Sequence, residues 1–69
     1  MVDDQPTTLW TLVRKQHVVT CLVRLEAYGI DITIARDGST IVTRTFETDT
    51  EALAWAARKR AEREADGWK

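Results

Sequence analysis

The stretch VVTCLVRLEAYGIDITI, residues 18–34, decides the fold. It is rich in Val, Ile and Thr, which suit a pleated surface, and a glycine interrupts it. A tight turn at Tyr28-Gly29, where glycine supplies a positive φ, sets Ala27 against Ile30, Leu25 against Ile32 and Val23 against Ile34. The same test works toward the start of the chain. A turn at Lys15-Gln16, the weaker of the pair because neither residue is a turn former, sets Leu12 against Val19, Trp10 against Cys21, Val13 against Val18 and Leu9 against Leu22. Both turns place Trp10, Leu12, Val19, Cys21, Val23, Leu25, Ile30, Ile32 and Ile34 on one face. A slip of one residue would scatter that series over both faces, so the register is specified by the core.

Asp37-Gly38 is a strong signal for a further hairpin. A tight loop there would bury Ile41 and expose Phe46. A loop of Arg36-Asp37-Gly38 with Gly38 left-handed would bury Val42 and Phe46 and expose Ile41. The longer loop is preferred, because exposing a Phe forfeits more apolar area than exposing an Ile.

After Thr48 the composition turns to Ala, Glu, Arg and Lys, which is helix composition. Thr48 with Glu51 three residues on is a capping box. Asp49 and Glu51 suit the positive end of the helix, and Gly67 is a natural stop. A helix to about Asp66 is as long as the strands beside it, so it covers one face of the sheet. Leu53, Ala54, Ala57, Ala61, Ala65 and Trp68 fall on one arc of it. The fold class is therefore α+β: an antiparallel meander of three to four strands with one C-terminal helix on one face. Residues 1–8 read as a loose arm and 9–69 as a single ββββα domain. The expected core is Leu12, Val19, Cys21, Val23, Leu25, Ile30, Ile32, Ile34, Val42, Phe46, Leu53, Ala57 and Ala61.

With 69 residues, 43% of them hydrophobic and 30% charged, the composition is globular and the core thin. A net charge of −1 gives no global pull toward nucleic acid or anionic lipid. The lone Cys21 cannot form an internal disulfide, no apolar run reaches membrane length, and Asp3-Asp4 stands where a signal peptide would be basic. These features predict a cytoplasmic protein, complete as given and without a membrane segment. No catalytic residue, metal site or cofactor is expected. Cys21 sits mid-strand on the buried face, His17 has no ligand partner at metal spacing, and no glycine-rich phosphate loop is present.

The apolar inventory exceeds what one covered face needs. If Leu53 points inward, Trp55 lies about 160° around the helix and points out. Trp55 is then either part of a contact surface, or the helix is rotated or the arm lies over it. The outer sheet face carries Leu9, Val13, Val18, Leu22 and, with the longer loop, Ile41, among threonines. Trp55, Val13, Val18, Leu22 and Ile41 are the candidate interface, and the expected function is a non-catalytic protein-interaction module that pairs with itself or another protein. The alternative is a nucleic-acid-binding accessory protein in which Lys15, Arg24 and Arg44 form a basic stripe on the outer face. At the lower end of the sheet, Arg14 and His17 are expected beneath Trp68. The run Arg58-Lys59-Arg60 reads as a solvated face, with pairs such as Arg60 to Glu64 and Arg58 to Glu62.

Trp10-Thr11-Leu12, Gly29-Ile30-Asp31-Ile32, Asp37-Gly38, Phe46, Glu51-Ala52 and Gly67-Trp68 together resemble short bacterial ββββα proteins of unknown function. That resemblance implies a fold and no activity. The stretch from Phe46 to Trp55 also resembles the strand-to-helix junction of the arm-binding domains of phage-type integrases, which read DNA with a three-stranded sheet. Those domains carry basic residues across the sheet, where this chain has threonines and Asp49.

Overall fold

Turn chemistry sets the sheet. In the computed structural model, which describes residues 6–69, the strands β1 (Thr7–Arg14), β2 (His17–Glu26), β3 (Gly29–Arg36) and β4 (Ser39–Phe46) form an antiparallel meander in the order β1-β2-β3-β4. The helix α1 (Asp49–Ala65) follows and packs chiefly on β3 and β4. Of the expected arm, residues 1–5 lie outside the described residues, and Thr7 and Thr8 belong to β1.

The first turn is Lys15-Gln16, as expected. Both residues take positive φ, 49° and 70°, the pairing whose twist matches that of the flanking strands. The second turn is Ala27-Tyr28, one residue earlier than expected, so Glu26 pairs with Gly29, Leu25 with Ile30, Val23 with Ile32 and Cys21 with Ile34. The shift is even, so every side chain keeps its face. Gly29 is needed for a close approach: a Cβ there would lie 2.5 Å from the Phe46 carbonyl oxygen, and its φ is +150°.

The third turn is a tight Asp37-Gly38 reversal with φ 51° and 86°, not the longer loop. One extra residue, Ile41, is then inserted as a bulge, because Ala35 pairs with Thr40 and Ile34 with Val42. The bulge restores the parity that the longer loop would have supplied: Val42 and Phe46 reach the helix side, and Ile41 stays exposed. A second bulge falls on β1, where Thr8 pairs with Leu22 and Trp10 with Cys21. It removes Leu9 from the outer-face series and packs it against the core.

Thr48 caps the helix as its sequence predicts: its hydroxyl accepts from the Glu51 amide at 3.2 Å. The buried helix face differs from the expected one. Ala52, Trp55 and Ala56 are buried, whereas Leu53 is 50% exposed and Ala57 and Ala61 face solvent. The helix is turned by roughly half a revolution from the alanine arc. Trp55, 7% exposed, packs its ring 5.6 Å from that of Phe46, and the Trp10 indole reaches the Ala56 carbonyl. An indole has more apolar area than a leucine, so the helix presents Trp55 to the sheet and leaves Leu53 out.

Trp10, Leu12, Val19, Cys21, Ile32 and Ile34 supply the sheet half of the core, with Leu9, Val23, Ile30, Phe46 and Trp68 packed around it. Leu25 is on the expected face but 79% exposed, beside the Ala27-Tyr28 turn and beyond the cover of the helix. Val42, on the edge strand, is also left exposed.

Candidate functional site

The helix covers one side of the sheet, so the side chains opposite define the open surface. Pair register lays them out in rows. Val13 faces Val18 near the lower end, followed by Thr11, Thr20 and Ala35, then Thr8, Leu22, Thr33 and Thr43, and then Arg24, Asp31 and Thr45. Val13 and Val18 are 48% and 38% exposed, a directly opposed aliphatic pair without cover from the helix. Leu22 is half-buried on the same face. Beside it lies a shallow depression of about 220 Å³ lined by Pro6, Leu22, Arg24, Asp31 and Thr33.

The upper end of this face is held by a polar cluster. Asp31 accepts from the Thr45 hydroxyl at 2.6 Å and from the Tyr28 hydroxyl at 2.7 Å. These bonds favour the carboxylate, that of Thr45 most, and hold Asp31 below the usual carboxylate range. The Tyr28 hydroxyl, donating to a carboxylate, is pushed above its ordinary value. The cluster escaped sequence reasoning because the turn was placed one residue late. With Ala27-Tyr28 as the turn, Arg24 and Asp31 become directly opposed.

A second cluster ties the two lower turns together. Asp37 accepts from the Val18 amide at 2.9 Å, lies 2.7 Å from His17 Nδ1, and has Arg36 at 3.9 Å. The Val18 amide, then the His17 ring, stabilise the Asp37 carboxylate and hold its pKa below the ordinary carboxylate range. His17 is thus engaged with Asp37. Trp68, expected over Arg14 and His17, has the Arg36 guanidinium 5.8 Å from its ring, and Arg14 Nε lies beside the neighbouring Gly67. Along α1, Arg60 pairs with Glu64 at 3.4 Å as its spacing predicts, and Glu62 takes Lys59 rather than Arg58.

Of the candidate interface, Val13, Val18 and Leu22 share the open face, Ile41 is exposed at the β4 bulge, and Trp55 is in the core. The basic stripe does not assemble. Arg24 is on the outer face, 3.8 Å from Glu26. Arg44 is opposite Ile32 on the helix side, with its guanidinium 5.7 Å from the Phe46 ring. Lys15 is in the turn at the far end of β2 from Arg24. The even-parity shift cannot move Arg24 and Arg44 to a common face, because the bulge at Ile41 gives β4 the opposite sense.

Cys21 is fully buried and its thiol is pushed up to about 11 by desolvation, partly offset by Arg63. Among the described residues, no three of His, Cys, Asp and Glu are grouped to hold a metal ion, and no helix is long and apolar enough to cross a membrane. Set against family models, curated proteins and solved structures, the chain matches none of them.

Proposed function

We propose that this chain is a small non-catalytic protein-interaction module that associates with itself as a homodimer, the open sheet face of one copy lying on that of the other. The observation that carries the reading is the Val13–Val18 pair, half exposed on the face opposite the helix, with Leu22 on the same side. Two sheets stacked face to face sit ~10 Å apart and interdigitate such side chains, and the threonines between them present methyl groups as well as hydroxyls. A two-fold arrangement makes the same patch serve both copies. Ile41 would sit at the rim of this contact, and Trp55 stabilises the fold beneath the sheet. A cytoplasmic setting fits the single unpaired thiol. A non-catalytic role fits a buried Cys21 that desolvation keeps as the protonated thiol and a His17 paired with Asp37.

Sedimentation equilibrium tests the reading. The expected result is a dimer at micromolar concentration that Val18→Lys converts to a monomer with unchanged circular dichroism. A wild-type chain that stays monomeric over the same range defeats it.

A further inference from the structure

Helix α1 ends in a way that delivers the last residues to the opposite border of the sheet. Gly67, at φ +98°, donates to the Glu64 carbonyl at 3.1 Å, and the Trp68 amide donates to the Arg63 carbonyl at 3.0 Å. These crossed bonds form a Schellman stop. They reverse the chain so that Trp68 packs against the core beneath Arg36. Lys69 then reaches β1. The Val13 amide donates to the Lys69 carbonyl at 2.8 Å, and the Lys69 amide donates to the Val13 carbonyl at 3.1 Å. Two residues that exchange both bonds form the hydrogen-bonded pair of an antiparallel ladder.

β1 is an edge strand, and its Val13 backbone groups point away from β2 to make this pair. Strand geometry repeats every second residue, so the N–H and C=O of Thr11 point the same way. From Thr7 to Val13 the strand carries no charged residue and no proline, the devices that ordinarily stop edge strands from pairing.

We propose that Gly67-Trp68-Lys69 is an edge clasp: seated on Val13, it withholds β1 from antiparallel pairing with the β1 strand of a second copy. The seated Lys69 makes one antiparallel residue pair on this border, so the outward groups of Val13 accept a backbone in that register. The strand is also self-complementary, since pairing about Thr11 sets Thr11 opposite its own counterpart. Lys69 occupies the place that the second copy's backbone would take at Val13. This route uses the border of the sheet, whereas the face-to-face dimer uses its surface, so the two proposals fail separately.

The test compares the full chain with a chain lacking Lys69 and a chain lacking Trp68 and Lys69, by sedimentation and by amide exchange. Removing Lys69 is expected to speed exchange of the Val13 amide in dilute solution by on the order of tenfold. At high concentration it is expected to raise the associated mass about twofold over that of the full chain, whatever the state of the full chain. Thr11→Pro in the shortened chain removes an outward N–H that β2 does not use, and is expected to return the mass to the full-chain value. If loss of Trp68 unfolds the sheet, the chain lacking Lys69 alone decides the outcome. Shortened chains that fold and sediment like the full chain overturn the proposal, as does an added association that Thr11→Pro leaves in place.

Discussion

The indole N–H of Trp10 on β1 donates to the carbonyl of Ala56 in α1 at 3.1 Å, a buried bond between residues 46 positions apart. A helical carbonyl has a second lone pair, so it takes the indole while still serving its own helix. The bond fixes both the rotation of α1 and its height above the sheet.

Substitutions on the two sides of the helix should therefore differ sharply. Trp55→Ala is expected to cost about 3–5 kcal/mol, because it empties a large site against Phe46. Leu53→Ala, at a half-exposed position, should stay within about 0.5 kcal/mol. Trp10→Phe should cost about 1–3 kcal/mol through the lost bond and the smaller ring. Urea denaturation measures all three, and comparable losses at positions 53 and 55 would mean that the helix presents a different face.

Gly29→Ala is expected to destabilise the fold by roughly 1–3 kcal/mol, since the added methyl meets the Phe46 carbonyl oxygen and the backbone is held at φ +150°. Gly38→Ala meets no atom within 4 Å and carries only the conformational penalty of φ +86°. Thermal melts of the two variants should rank Gly29→Ala as the more damaging.

The Lys15-Gln16 turn stores strain, because both residues occupy left-handed conformations at φ 49° and 70°. Replacing the pair by Asn-Gly, which prefers that conformation, should stabilise the protein by about 1 kcal/mol. A midpoint that falls in urea would contradict the turn geometry.

Asp31 and Asp37 both titrate below the ordinary carboxylate range when folded. Their contribution to stability is fully present above the unfolded carboxylate value of ~3.9 and is lost as pH falls toward their depressed folded values. Asp37→Asn should flatten this acid limb. Melting temperatures recorded from neutral pH downward test it; an unchanged acid limb in the variant would remove Asp37 from the account.

Much of the architecture was legible because the sheet has a period of two. The second turn lies one residue earlier than its glycine suggested, yet Val23 and Ile32 still share a face, since the resulting register shift is even. The bulges were not legible. Nothing in the local residue types marks Leu9 or Ile41 as an extra residue; only the pairing of neighbours does so. The helix rotation was misread because alanines are nearly neutral: with Ala on every side of α1, the choice falls to a single large residue, and Trp55 outweighs Leu53. The open face followed from parity for Val13, Val18 and Leu22. Its polar end depended on the turn position, and the seat of Lys69 on Val13 depended on tertiary closure.

Cys21 has no exposure in a strand flanked on both sides. A thiol-specific dye can reach it only when the core between sheet and helix opens, and a folded pool should therefore react at a pace set by that opening. The chain thus carries its own clock for native-state breathing, readable without adding a label site, and each destabilising substitution above that acts on this opening should speed it, the logarithm of the rate rising with the stability removed.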